Sequence, residues 1–225
     1  YCELKNYKDL PKIFYKALVN ILKGNGTIVV PTHTFELTNT KRIFDVKKTL
    51  SMSGSFSNFI LKQKGVVRQI HPYSSSAAIG KLSNYICSKN SINVYGPNSP
   101  FARIIEKKAK FLSLGMPVNL NCSQVHHAEF LIKVPYRQNK KFYHKIKIGN
   151  KVYNKNFNMF VLKEKHLNLK RNKNKIIFSN FRKHNKIYKS KLGKGFIYSY
   201  DLKDFFLANM DLLKKNIFCW VGKKI

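Results

Sequence analysis

The order of helix, glycine break and buried strand across residues 10–31 constrains the fold more than any other stretch of the chain. Ile13, Phe14, Ala17, Leu18, Ile21 and Leu22 recur at the spacing of one helix face, Gly24 and Gly26 interrupt them, and TIVVP follows. A short β-branched run closed by a proline reads as a buried strand, and the three pieces make half of an α/β unit. The pattern continues. SNFILKQ is a short amphipathic segment before another strand, VVRQI; SSAAIGKLSNYICSK predicts a helix with a hydroxyl-rich start; RIIEKKAKFLSLGM reads as a helix running into a strand. The order of elements is that of an α/β fold with helices covering a sheet.

After Pro135 the character changes. KIKIGNKVYN predicts a hairpin turning at Gly149 and Asn150. The Lys- and Asn-rich stretch from residue 163 to 191 reads as exposed strands and loops, and the chain closes with a strand and a helix capped by Asp201. A chain of 225 residues, 44% hydrophobic, supports one domain: an α/β core over 1–135 and a β-rich extension with the closing strand and helix over 136–225. No apolar run is long enough to span a bilayer and YCELKNYKDL does not read as a signal peptide, so a soluble cytoplasmic protein is expected. Cys2, Cys87, Cys122 and Cys219 form no CxxC pair and predict reduced thiols.

The net charge of +33 brings nucleic acid to mind, because basic surfaces attract phosphates by counterion release. Yet only six of the 43 basic residues are arginine, the side chain that base and phosphate readers favour, and no helix-turn-helix, zinc-finger or RRM pattern is present. The lysines come with abundant Asn, Ile, Tyr and Phe, all with A/T-rich codons, so codon bias accounts for most of the charge. A catalytically inert nucleic-acid-binding module is the alternative function. What remains of the charge favours polyanionic ligands such as coenzyme A or nucleotide sugars.

The chemistry is expected in NCSQVHHAE. If Ser123 to Phe130 open a helix, His126 and Glu129 stand three apart on one face, and an imidazole held by a carboxylate is a suitable general base near neutral pH. A solvated surface pair has the same spacing. Acids are scarce, however: ten in the whole chain, with none between Glu129 and Glu164. A metal held by His126, His127, Glu129 and Cys122 is a third reading, but HExxH is missing and no metal is expected.

Four blocks in order, GTIVVPTHTFE (26–36), GVVRQIHPYSSSAAIGK (65–81), YGPNSPFARIIEKKAKFLSLG (95–115) and NCSQVHHAEF (121–130), resemble the aminoglycoside 3-N-acetyltransferase family of antibiotic acetyltransferases. That family carries a GT-aliphatic-PT block, an R-S-x-H-P-x-H-S-x-A-A-x-G block, an F-G-x-x-S-P block and an H-x-A-E block. The resemblance implies a three-layer α/β/α sandwich with a mixed central sheet, acetyl-CoA as donor, and direct transfer of acetyl to an amine of an aminoglycoside or other aminosugar. It assigns His126 as the base, with Glu129 orienting it or gripping the cationic substrate. Ser123, or alternatively Cys122, is placed to donate to the oxyanion; a plain helix N-cap is the rival role for Ser123.

The resemblance also places Arg68, His71 and Ser75 in the coenzyme A site, with Ser74 replacing the second histidine of the block and Gln69 its usual serine. For His71 a turn with a buried, satisfied ring is the alternative. Glu36, where the first strand leaves the sheet, is a candidate anchor for a substrate amine or else a solvated loop residue. Tyr95, Gly96, Ser99 and Pro100 are expected to form a structural loop bordering the cleft. The family's opening strand and hydroxyl-rich loop have no counterpart, so a fold lacking that strand is expected. A basic protein is an awkward host for polycationic drugs, and an aminosugar carried on a nucleotide suits the charge better. A homodimer is the assembly considered.

Overall fold

The computed structural model describes residues 9–88, 92–116, 123–169 and 175–221. Cys2, Asn121 and Cys122 lie outside the described residues. The chain mixes helices and sheets and divides into two compact units, one within 8–103 and 139–159, the other within 104–138 and 160–225. No helix among the described residues is long and apolar enough to cross a membrane.

The first unit opens with α1 (Leu10–Leu22), which carries Pro11 in its first turn, where a missing N–H costs nothing, and ends on Lys23 in the left-handed region at φ 46. β1 (Thr27–His33) pairs antiparallel with β4 (Ser74–Gly80), in register from Thr27 opposite Gly80 to His33 opposite Ser74. Between them in sequence come β2 (Phe44–Asp45), α2 (Ser55–Leu61) and β3 (Val67–Arg68), and β3 takes the other edge of β4, giving the order β1-β4-β3. Ile28, Val30, Ile60 and Ala77 form its core, with Tyr15, Leu18 and Leu22 of α1 packed on it. α3 (Ser83–Cys87) and α4 (Pro100–Glu106) follow.

Here one expectation fails. The helix predicted over SSAAIGKLSNYICSK is a strand through Gly80, with a helix only at Ser83–Cys87. The residues from Ser74 to Ala78 are all buried in a strand paired on both sides, and small Ser and Ala side chains suit such a central strand, so tertiary pairing overrides the helix preference of alanine.

The hairpin of β6 (Arg137–Ile148) and β7 (Lys151–Leu162) turns at Gly149 and Asn150 as predicted, with Gly149 at φ 60. β6 also pairs parallel with β2, Phe44 opposite Ile146, and in this unit Leu37, Phe44, Tyr73, Ile146 and Phe157 close a second core.

The other unit holds β5 (Lys110–Leu114) and α5 (Gln124–Ile132), then, after the hairpin, α6 (Lys175–His184), β8 (Tyr188–Leu192), β9 (Gly195–Asp201) and α7 (Leu202–Lys215). Its sheet is antiparallel in the order β5-β9-β8. Ile177, Phe178 and Phe181 give α6 a helical apolar face; its two phenylalanines lie against Tyr200 and Phe205 with ring centroids 5.1–6.1 Å apart. This helix corrects the reading of 163–191 as strands and loops over residues 175–184 alone, since β8 begins within the stretch as an exposed strand: the aromatic islands are spaced for a helix, and the Lys and Asn between them obscured the period. Asp201 stands at the N-cap of α7 as expected, but its carboxylate makes no capping bond and instead lies 3.3 Å from Lys110 Nζ.

Gly80 is required where it stands. It sits at φ 123, and an added Cβ would meet the Gly26 carbonyl oxygen and lie 2.9 Å from Thr27 Cα. Gly80→Ala is expected to destabilise the protein by about 2 kcal/mol or more. Denaturant melts followed by circular dichroism check this, and an unchanged midpoint would mean that the strand end yields freely.

Burial drives three imidazoles, His33, His71 and His127, down to about 4 from 6.5. They are neutral in the folded chain, whereas the unfolded chain takes up protons below pH 6.5, so their contribution is full above 6.5 and is lost as the pH falls toward 4. Thermal melts from about pH 7 to about pH 4 should show a midpoint that holds and then drops through this window. A level midpoint throughout would contradict it.

Candidate active site

Helix α5 presents the predicted pair. Ser123 occupies its N-cap with helical backbone angles, φ −62 and ψ −20; its hydroxyl makes no capping bond, and its carbonyl accepts the His126 N–H at 3.1 Å. The side-chain N-cap role considered for Ser123 is therefore absent. One turn on, His126 Nδ1 lies 2.5 Å from Glu129 Oε2. A carboxylate only accepts, so Nδ1 carries the proton and Nε2 holds the lone pair in the neutral ring.

The two side chains differ in access. That of His126 is 21% exposed and that of Glu129 0%. A carboxylate so enclosed needs partners. Burial alone pushes its pKa up, but the hydrogen bond and charge of His126, the charge of Arg137 and the hydroxyl of Tyr136 outweigh this and hold it below the usual range. Tyr136 donates to Oε1 at 2.6 Å, and Arg137 brings Nε to 3.0 Å of Oε2 as a charge contact without hydrogen-bond alignment.

Local chain geometry delivers those partners. α5 ends on Lys133 in the left-handed region at φ 58, with the amides of Lys133 and Val134 returning to the carbonyls of Phe130 and Glu129. The chain reverses, and Tyr136 and Arg137 come back to the carboxylate seven and eight residues after it. The Arg137 guanidinium stacks 5.6 Å from the Phe160 ring and donates to the Phe160 carbonyl. Beyond α7, a turn sets Phe218 against Tyr136, centroids 5.6 Å apart, and Trp220 edge-on to His126 at 5.8 Å and 88°. Cys219 between them is buried, and burial followed by the Glu129 charge raises its thiol to about 11.

Sequence reasoning did not find Tyr136, Arg137 or Trp220. One signal was available: a buried acid needs a cation, and Arg137 is the arginine nearest to Glu129 along the chain. His127, read as packing, is buried against Phe206 at 5.4 Å.

The second group of predicted residues lies in the other compact unit. Arg68 is buried and each of its three guanidinium nitrogens donates: Nη1 to the Thr49 carbonyl at 2.5 Å, Nη2 to the Thr32 carbonyl at 3.1 Å and Nε to Ser75 Oγ at 3.2 Å, over the Phe44 ring at 4.7 Å. Burial lowers its pKa to about 10 against the opposing charges of Glu36 and Asp45. Ser75, also buried, donates to the Thr32 carbonyl at 2.8 Å. The fully enclosed His71 accepts the Ser74 N–H on Nδ1 at 3.2 Å, and its Nε2 lies 3.3 Å from the Asn158 carbonyl. Ser74, which replaces a histidine of the block, pairs its hydroxyl with His33 Nδ1 at 3.1 Å. Ser99 bonds the Gly96 carbonyl at 2.7 Å, as expected of a structural loop. Glu36 is exposed in a single 3-10 turn after β1. Among the described residues, no three His, Cys, Asp or Glu side chains are grouped to hold a metal ion.

A family model described as Aminoglycoside 3-N-acetyltransferase matches residues 3–214. Aminoglycoside N(3)-acetyltransferase VII of Streptomyces paromomycinus is 31% identical over 84 residues, which are 37% of this chain and only 29% of that protein. Among solved structures, AAC-IIIb in a binary complex with CoASH superposes with a TM-score of 0.76 at 18% identity, over 97% of this chain and 87% of that one. Sisomicin-bound AAC-VIa gives 0.77 at 18% identity, over 92% and 85%. At these identities the structural likeness shows the fold alone, while the family match runs through nearly all of the sequence. The chain belongs to the aminoglycoside 3-N-acetyltransferase family.

Proposed function

We propose that this chain transfers an acetyl group from acetyl-CoA to an amine of an aminosugar, with His126 as general base and Glu129 as the carboxylate that orients it. The observation that carries the proposal is the 2.5 Å contact from a partly exposed imidazole to a fully buried, ionised carboxylate. A solvated surface pair does not bury one partner completely, and ordinary core packing does not need the charge. The neighbours solved with CoASH and with sisomicin support the same reading.

Acetyl-CoA supplies an acetyl thioester. Nε2 of His126 takes a proton from the acceptor nitrogen as that nitrogen bonds to the acetyl carbon, and the imidazolium returns a proton to the departing sulfur as the C–S bond breaks. Glu129, ionised beside it, stabilises the imidazolium and fixes the tautomer throughout. Ser123, at the head of the same helix, is proposed to donate to the carbonyl oxygen as charge builds there. Cys219, neutral at working pH, has no nucleophilic part.

The phosphates of coenzyme A suit a chain of net charge +33. Since the polar atoms of Arg68, His71 and Ser75 are bonded within the protein, we propose that they brace the coenzyme-binding segment rather than reach the phosphates themselves. Glu36, exposed, is proposed to anchor an amine of the acceptor. We further infer the family's three-layer α/β/α arrangement, acting as one catalytic domain.

His126→Ala should lower acetyl transfer by about a thousandfold with the circular dichroism spectrum unchanged. Thiol release from acetyl-CoA across a panel of aminosugars measures this, and near-normal turnover would remove the proposed base. The charge adds a second expectation. For an aminosugar carried on a nucleotide, kcat/KM should fall as salt is added, and for a polycationic aminoglycoside it should rise, because screening weakens attraction in one case and repulsion in the other. Efficient turnover of the drugs alone, indifferent to salt, would defeat the preference for an anionic acceptor.

A further inference from the structure

Each oxygen of Glu129 has its own donor, which is more than a simple dyad requires. Oε2 accepts from His126 Nδ1 at 2.5 Å, and Oε1 accepts from the Tyr136 hydroxyl at 2.6 Å. Among the described residues, the titratable and charged groups facing the carboxylate are His126 from α5, Tyr136 from the turn after it, Arg137 from the first residue of β6, and Cys219 from the turn after α7. Tyr136 is fully enclosed, its ring against Phe218. Burial and then the Glu129 charge raise the phenol above its ordinary value, so it is a donor at every working pH and takes no part as an acid.

We infer that Tyr136 is a positioning residue for acetyl transfer: through Oε1 of Glu129 it sets how strongly the carboxylate holds Nδ1 of His126, and so the basicity of the imidazole. The inference rests on the general-base reading of His126. Its physical ground is the sharing of one negative charge. A phenol hydrogen-bonded to Oε1 withdraws part of the charge that Oε2 would otherwise direct at the ring, so the imidazolium is held less tightly and the neutral base is favoured. The same bond stops the carboxylate from rotating away from Nδ1. Arg137 supplies charge to the same carboxylate without an aligned bond, and therefore cannot fix the orientation.

The test uses a reporter already in the protein. Trp220 is the chain's only tryptophan and lies edge-on to His126, and a protonated imidazole quenches indole emission. A fluorescence titration with pH therefore reads His126 whether or not the protein is turning over substrate. Tyr136→Phe keeps the ring and removes the hydroxyl. The midpoint should rise by about half a pH unit, the acidic limb of the kcat profile should follow it, and kcat at neutral pH should fall about tenfold with KM little changed. A ring-fluorinated tyrosine at position 136, a stronger donor of nearly the same shape, should move the midpoint down. Midpoints that coincide with the wild type in both proteins would overturn the inference and leave Tyr136 as packing. If Tyr136→Phe does not fold, the fluorinated protein decides alone: a downward shift supports the role and none rejects it. Failure of the wild type to acetylate any aminosugar would instead defeat the catalytic reading, and the Trp220 titration would still judge the link from Tyr136 to His126.

Discussion

A carboxylate with no exposed surface organises one half of this protein. Removing an ionised group from water costs several kcal/mol unless partners lie close to it, and Glu129 meets that demand with hydrogen bonds from His126 and Tyr136 and the nearby charge of Arg137. The helix that carries it supplies His126. The left-handed close at Lys133 turns the chain back so that Tyr136 and Arg137 arrive at the same point. The turn after α7 then adds Phe218 and Trp220. Each is a local feature with an ordinary cause, and the enclosed charge makes them depend on one another.

The chain's charge works on two scales. Over the surface as a whole, +33 sets up a positive field that favours polyanions and is screened by salt within about a Debye length. Close to the site the balance is struck locally, between one buried acid and the cations beside it. Lysine and arginine divide these tasks. Among the described residues Arg68, Arg103 and Arg137 are buried, and each gives N–H groups to backbone carbonyls. The planar fork of arginine suits that use, whereas a lysine ammonium in the same places would offer fewer fixed donors and a higher cost of desolvation.

In the other unit, the motif richest in polar residues is also among the most enclosed. Thr32, Ser75 and Arg68 bond one another across β1, β4 and β3, while His71 and Ser74 close the bend before β4. Their residue types resemble a ligand-binding block, and their hydrogen bonds hold three strands and a loop together. A sequence pattern records that these side chains are needed. It does not record whether a ligand or the chain's own backbone receives their bonds, because both offer the same acceptors.

The sequence by itself determined the family, through four blocks in order, and also the pairing of His126 with Glu129 on one helix face, α1 and β1 across the glycine break, the 149–150 turn, and the closing strand and helix, each of which depends on the local pattern of residues along the chain. Only the tertiary structure decided that SSAAIG is a central strand rather than a helix, since its partners across the sheet outweigh alanine's preference. The same holds for α6, whose apolar face gains meaning only against Tyr200 and Phe205. It also holds for Tyr136, Arg137 and Trp220, which reach His126 and Glu129 through a chain reversal and a distant turn. Periodicity reports which face of an element is apolar, whereas the partner that buries that face, or neutralises a charge within it, is chosen by the folded chain as a whole.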